Sequence, residues 1–108
     1  MARVNEFTAI ADIILVMEES SNVLRGRSFS ITGHLGRPRS EIVQIIEMGG
    51  GRFDKTPSWG TQFLITNQDW NEGSTVGKGT SIKLRQARER GTRIITEAEF
   101  YKMIFPEV

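Results

Sequence analysis

Phe29-Ser30-Ile31-Thr32-Gly33 is the stretch of the chain that decides its fold. Apolar residues alternate with hydroxyl residues, which is the pattern of a short buried strand, and a glycine ends it. Much later, Ser81-Ile82-Lys83 has the composition of a first helical turn that contains a lysine. A hydroxyl, a backbone amide, a helix N-terminus and an ammonium are the parts of an anion site. We therefore expect the fold to bring the two stretches together.

The composition limits the size, the chemistry and the location that we expect for the protein. The 108 residues suffice for one domain and not two, and a net charge of +1 does not by itself indicate nucleic-acid binding. The absence of cysteine excludes disulfides and thiolate chemistry. The apolar run Ile13–Met17 is too short to span a bilayer and is flanked by acids, unlike a secretory signal. We expect a soluble intracellular protein without a membrane contact, cytoplasmic if bacterial and nuclear if eukaryotic.

The segment before the first strand has helical periodicity. Apolar residues at that spacing predict an amphipathic N-terminal helix and linker over residues 1–24, followed by a single domain over residues 25–108. The pattern alone also permits a strand at Ile13–Met17. The predicted apolar stripe consists of Phe7, Ile10, Ile14 and Met17, widened by Ile13 and Val16.

Strand and helix patterns alternate through the rest of the chain. Strand–helix–strand units imply a mostly parallel sheet with helices on both faces. Glycines end the first two helices of the domain, and Thr96 with Glu99 predicts a capping box at the last. After the first strand, the predicted elements are a helix at 39–48, strands at 52–54 and 61–66, a helix at 81–90, a strand at 93–95 and a helix at 97–104.

The ordered set of motifs resembles a BRCT domain. The resemblance covers residues 25–105 and is greatest to the subclass in bacterial NAD-dependent DNA ligases and the large subunit of replication factor C. The motifs that carry it are the strand Phe29–Gly33, Gly49-Gly50-Gly51, Lys55-Thr56, Thr61–Ile65, Ser81-Ile82-Lys83 with Ala87, and the run from Gly91 to Phe100.

The resemblance implies a three-layer α/β fold. Its four-stranded parallel sheet has the order 2-1-3-4 and is flanked by three helices, here with an extra N-terminal helix. It also implies a non-catalytic module of DNA replication or repair that needs no cofactor. Many BRCT domains carry a tryptophan in the last helix, and Phe100 is its counterpart here, a departure that concerns packing rather than the pocket.

The resemblance further implies a phosphate pocket. Thr32 matches the hydroxyl that donates to a phosphate oxygen, and Gly33 matches the glycine whose N–H does the same. Lys83 matches the lysine that pairs with the phosphate, and Ser81 matches the small hydroxyl residue two before it. Arg39 matches an arginine near a bound DNA end. Arg37 and Arg85 are further candidates for DNA contacts.

Two kinds of ligand are compatible with the resemblance. A 5′-phosphorylated DNA end is favoured, because phosphopeptide recognition in this family usually uses a groove between two tandem repeats and the chain has room for one. The alternative is a protein–protein interaction module whose partner is a phosphopeptide or an unphosphorylated protein. The oligomeric state is not predicted.

The sequence gives little support to a metal site, to catalysis or to a nucleotide-binding loop. With one histidine, His34, and no clustered acids, we expect neither a metal site nor catalysis. The stretch Gly73–Gly79 lacks the spacing of a phosphate loop. Trp59 and Trp70 lie in predicted loops, where covering a core edge is a more common role than stacking on bases.

Overall fold

The computed structural model describes residues 4–18, 22–67 and 82–105, without the side chains of residues 82 and 83. Helices and strands follow one another through these segments in the predicted order. They are α1 (Ile10–Glu18), β1 (Ser28–Ile31), α2 (Arg39–Met48), β2 (Arg52–Phe53), β3 (Phe63–Ile65), α3 (Ile82–Arg90), β4 (Arg93–Ile95) and α4 (Glu97–Ile104).

The described strands form one four-stranded parallel sheet in the order β2-β1-β3-β4, which confirms the predicted topology. β1 is an inner strand: Phe29 pairs with Phe53 on one side and with Phe63 on the other. β3 continues the sheet by pairing Leu64 with Ile94 of β4. All the carboxyl ends therefore meet at one edge of the sheet, the carboxyl edge.

One face of the sheet carries the main core. The Phe29 ring stacks on Phe63 at 5.3 Å between centroids and meets Phe100 edge-on at 5.4 Å. Such aromatic pairs add about 0.5–1.5 kcal/mol each beyond their buried area. The other members come from α1, α2, α4 and the sheet, and they include Ile13, Met17, Ile31, Ile42, Ile45, Ile46, Ile65, Ile95 and Ile104.

The opposite face carries a smaller core under α3. Leu84 and Ala87 pack on Leu64 of β3, with Ile94 partly buried against them. This confirms that Leu84 and Ala87 are the inward-facing residues of α3. Arg85 and Arg88 are exposed, whereas Arg90 is partly buried and donates to the Pro57 carbonyl.

α1 begins later than predicted, because polar side chains capture the backbone before it. The Asn5 side-chain oxygen accepts from the Phe7 N–H at 2.8 Å, and the Thr8 hydroxyl accepts from the Asn5 N–H at 3.0 Å. These local bonds compete with helix formation. The prediction that Phe7 belongs to the apolar stripe is therefore wrong: Phe7 precedes the helix and is 85% exposed. The division of the chain at residue 24 stays a prediction.

β3 is shorter than the predicted strand at 61–66. The Thr61 hydroxyl donates to the Asp54 carboxylate over 2.6 Å, so the residue is used in the loop before the strand. The Arg52 guanidinium beside Asp54 lowers the pKa of that carboxyl. Burial opposes this effect and the Thr61 hydroxyl adds to it, so the pKa stays below its usual value. No helix within the described ranges is both long enough and apolar enough to cross a membrane.

Candidate phosphate-binding site

The candidate site begins where β1 ends. The Thr32 N–H donates to the Ile65 carbonyl over 3.1 Å, which holds Thr32 beside β3, and only 6% of Thr32 is exposed. Gly33 follows with φ of +77°, in the left-handed region that glycine tolerates best. The two residues lie at the carboxyl edge, where open α/β sheets bind their ligands.

Arg39 folds back onto this turn from the start of α2. Its Nη2 atom lies 3.4 Å from the Gly33 carbonyl oxygen, while the rest of the side chain is exposed. Residues 33–39 line a concave surface of about 630 Å³. Gly33 and Arg39, which were predicted separately, therefore share one surface.

The start of α3 belongs to the same edge. α3 feeds β4 through Gly91, and a helix that connects parallel strands runs back against their direction, so its first turn lies toward the carboxyl edge. Leu84 in that turn packs on Leu64, and Leu64 pairs with Ser30 of β1. Since side chains alternate along a strand, Thr32 shares the face of Ser30. α3 thus starts on the face to which Thr32 belongs.

Two predicted pocket residues lie partly or wholly outside the described residues. The Lys83 backbone lies in the first turn of α3, and its side chain lies outside the described residues. Ser81 lies outside them entirely, as do Trp70 and the stretch Gly73–Gly79. The described residues of the first turn include no acid.

Arg37 has a different position from the one predicted for a DNA contact. It is 3% exposed, and its Nε donates to the Tyr101 hydroxyl at 3.1 Å. Nη1 donates to Glu41 at 2.9 Å, and Nη2 to the carbonyls of Asn5 at 2.8 Å and Thr8 at 2.6 Å. Burial lowers the pKa of Arg37, but the bonds to Tyr101 and Glu41 outweigh it and raise the pKa. The guanidinium therefore uses its donors on partners inside the protein, which argues against the predicted contact of Arg37 with DNA.

Glu97 supports the same loop from α4. Its Oε1 accepts from the Gly36 N–H at 2.7 Å and from the Asn67 side-chain amide at 3.0 Å. Its Oε2 accepts from the Tyr101 hydroxyl. Burial and this bond raise the pKa of Tyr101. The loop of residues 33–39 is consequently braced by α4, and Asn67, which follows β3, holds Glu97 in place.

Sequence reasoning missed this buried network. One local signal existed, since Glu41 follows Arg37 by four residues, the spacing of a helical ion pair. Nothing local connects Arg37 to Tyr101, which is 64 positions away.

The remaining candidates lie on the surface. Arg85 and His34 are exposed. Trp59 is 79% exposed, with the Arg90 guanidinium 5.6 Å from its ring centroid, so the interpretation that it covers a core edge is wrong. The capping box of Thr96 and Glu99 is confirmed. No group of three potential metal ligands occurs among the described residues.

Comparison with known proteins identifies related sequences. The family model of the BRCA1 C Terminus (BRCT) domain matches residues 19–104. A DNA ligase of Helicobacter acinonychis (strain Sheeba) is 33% identical over 94 residues, which cover 87% of this chain and 13% of the ligase. A DNA ligase of Mycoplasmopsis agalactiae is 37% identical over 84 residues, covering 78% of this chain and 11% of the ligase. The chain thus spans a small part of these curated relatives.

A solved structure shares the fold. The crystal structure of S. pombe Rad4 BRCT3,4 superposes with a TM-score of 0.59 at 18% identity. The match covers 81% of this chain and 44% of the Rad4 chain.

Proposed function

The chain belongs to the BRCA1 C Terminus (BRCT) domain family, and we propose that it is a non-catalytic module that binds a phosphate group in DNA replication or repair. The preferred ligand is a 5′-phosphorylated DNA end. The observation that carries this proposal is the left-handed turn at Gly33, with Arg39 folded back onto it at the carboxyl edge.

The proposed site combines several anion donors. The missing side chain of Gly33 lets a phosphate approach the backbone N–H. The first turn of α3 supplies N–H groups without intrahelical partners and the positive end of the helix dipole. A lysine at position 83 opposes that dipole, so a bound anion would offset the repulsion.

The energy of such contacts suffices for moderate affinity. A hydrogen bond to a charged group contributes about 1.5–3 kcal/mol. Three or four such bonds from Thr32, Gly33, Ser81 and Lys83 would together support a dissociation constant in the micromolar range, which needs about 8 kcal/mol. A deep cavity is not required.

DNA is favoured over a phosphopeptide for two reasons. The exposed cations Arg39 and Arg85 would give a DNA backbone additional phosphate contacts beyond its end. The curated relatives are DNA ligases, which supports a role of this chain in DNA metabolism. Arg37 is left out of the proposed interface because its guanidinium is buried.

The test is a fluorescence anisotropy titration of the full chain with blunt duplexes that differ only in their end groups. We expect a 5′-phosphate duplex to bind about tenfold more tightly than the 5′-hydroxyl duplex, which corresponds to about 1.4 kcal/mol. A 3′-phosphate duplex is the matched control and should bind like the 5′-hydroxyl duplex. Equal affinity for all three ends would contradict end recognition. Displacement of bound DNA by a short phosphoserine peptide at lower concentration than by DNA itself would favour a protein ligand instead.

A further inference from the structure

A second concave surface lies on the main-core face of the sheet, beside α4 and toward the amino ends of the strands. It encloses about 310 Å³. Phe63 and Arg93, the paired first residues of β3 and β4, are among its lining residues. We call this surface the amino-end hollow. Its full lining is Arg27, Phe63, Arg93, Ile95, Glu99, Lys102 and Met103.

The hollow joins an apolar floor to a basic rim. Phe63, Ile95 and Met103 are its apolar members, and all three belong to or pack on the main core. Arg27, Arg93 and Lys102 are exposed cations, and among the described residues none of them forms an ion pair. An anionic ligand with an apolar part would therefore match the surface.

Two contacts fix the character of the rim. The Arg27 guanidinium lies 5.9 Å from the centroid of the Phe63 ring, so the cation sits over the apolar floor. Glu99 accepts from the Thr96 N–H at 3.1 Å as part of the capping box. Glu99 is the single acid of the lining, so the three cations leave the rim with an excess of positive charge.

We propose that the amino-end hollow docks an acidic peptide segment of a partner protein, with one apolar side chain inserted between flanking carboxylates. The volume is at the low end of ligand sites, which run from about 300 to 1,000 Å³, and suits one anchoring side chain. The complementary charges would speed association and select acidic sequences.

The floor distinguishes a peptide from a nucleic acid. A nucleic acid at such a surface would stack a base on the aromatic ring, but the Phe63 ring already stacks on Phe29 and has the Arg27 guanidinium over it. A single apolar side chain needs no free ring face and can fill the hollow between the cations. The hollow has no lining residue in common with the concave surface at Gly33, so the two ligands can bind at once. Peptide binding at the hollow therefore does not depend on the phosphate site.

The probe is a fluorescein-labelled peptide, Asp-Glu-Phe-Asp-Glu, titrated with the full chain at low salt. The controls are Asn-Gln-Phe-Asn-Gln, which lacks the charge, and Asp-Glu-Ala-Asp-Glu, which lacks the anchor. We expect the probe to bind at least tenfold more tightly than either control and to weaken as salt is added. No binding of the probe, or equal binding of a control, overturns the proposal.

Charge reversal locates the binding. Arg27→Glu and Lys102→Glu should each weaken binding of the probe at least tenfold. Lys55→Glu, which reverses an exposed cation in the loop after β2, is the matched control and should leave it unchanged. Circular dichroism melts of each variant confirm folding, and probe-induced amide NMR shifts at Phe63 and Arg93 locate the site without any mutation. Unaltered binding in both rim variants, or shifts confined to other residues, overturns the proposal.

Tighter binding of a single-stranded oligonucleotide than of the peptide, lost on charge reversal, would assign the hollow to nucleic acid. A saturating 5′-phosphorylated duplex should not displace the probe, and displacement would overturn the separation of the two sites.

Discussion

Arg37 and Tyr101 are joined by a hydrogen bond of 3.1 Å from the guanidinium Nε to the phenolic oxygen. Tyr101 in turn donates to Glu97, and Glu97 accepts from the Gly36 N–H. The bonds connect α4 to the loop that carries Gly33 and Arg39. The candidate phosphate-binding edge is therefore held by a buried polar network rather than by apolar contacts alone.

Arg37 and Arg39 should differ sharply in their effect on stability. Replacing Arg37 by alanine leaves Tyr101, Glu41 and two backbone carbonyls without their donor, so we expect the free energy of unfolding to fall by about 3 kcal/mol. Arg39→Ala removes an exposed side chain and should change it by no more than about 0.5 kcal/mol. Urea denaturation measures both. Similar losses for the two variants would contradict the assigned roles.

Tyr101 is the single tyrosine, so its ionisation can be followed by ultraviolet absorbance. Burial, with the hydrogen bond to Glu97, raises its pKa in the folded protein above the ordinary value of about 10. The folded state then keeps a proton that the unfolded chain loses, so the stability contribution is complete below pH of about 10 and declines above it. We expect the native protein to show little tyrosinate at the pH where the urea-unfolded chain is half ionised. Coincident titration curves would show that the phenol is not held as described.

A control for this titration is Tyr101→Phe. The variant should be less stable than the natural chain at neutral pH by about 1–3 kcal/mol, because Glu97 and Arg37 lose a buried partner. The difference should narrow above pH of about 10 as the natural chain loses its advantage. A constant difference across that range would contradict the shifted pKa.

A side chain at position 33 should destabilise the protein. Its φ of +77° costs an L-residue about 1–2 kcal/mol, so Gly33→Ala should lower the unfolding free energy by that amount and weaken binding of a phosphorylated duplex. Gly60→Ala is the matched control, because a Cβ there would meet only the Arg52 side chain at 3.5 Å, an ordinary contact. Thermal melts of both variants test the claim, and equal melting temperatures would refute it.

Local sequence signals predicted most of the fold. Helix α2 begins after Pro38 and ends before Gly49, and α4 begins at the capping box of Thr96, all as expected from residues next to one another. The strands β1 and β4 likewise follow from short apolar patterns between glycines and loops. The sheet order required the family resemblance, since periodicity does not say which strands are neighbours.

What the sequence could not predict depends on distant contacts. Arg37 has the pattern of an exposed loop cation, and only its contacts to Tyr101 and to residues before α1 bury it. Phe7 has the spacing of a helix residue, yet the Asn5 side chain ends that possibility by bonding its N–H. In the candidate site, Gly33 and Arg39 were identified from sequence, whereas the brace beneath them was not.

The central claim is that this chain binds a phosphate through the turn at Gly33 and the first turn of α3. Its most direct test is the ratio of dissociation constants for 5′-hydroxyl and 5′-phosphate duplexes, measured by anisotropy for the natural chain, Lys83→Ala and Arg85→Ala. We predict a ratio of about ten for the natural chain and about one for Lys83→Ala, as expected when one charge-assisted contact to the phosphate is lost. Arg85→Ala should weaken both duplexes alike and reduce the salt dependence, keeping the ratio. A ratio that Lys83→Ala leaves unchanged would contradict the account.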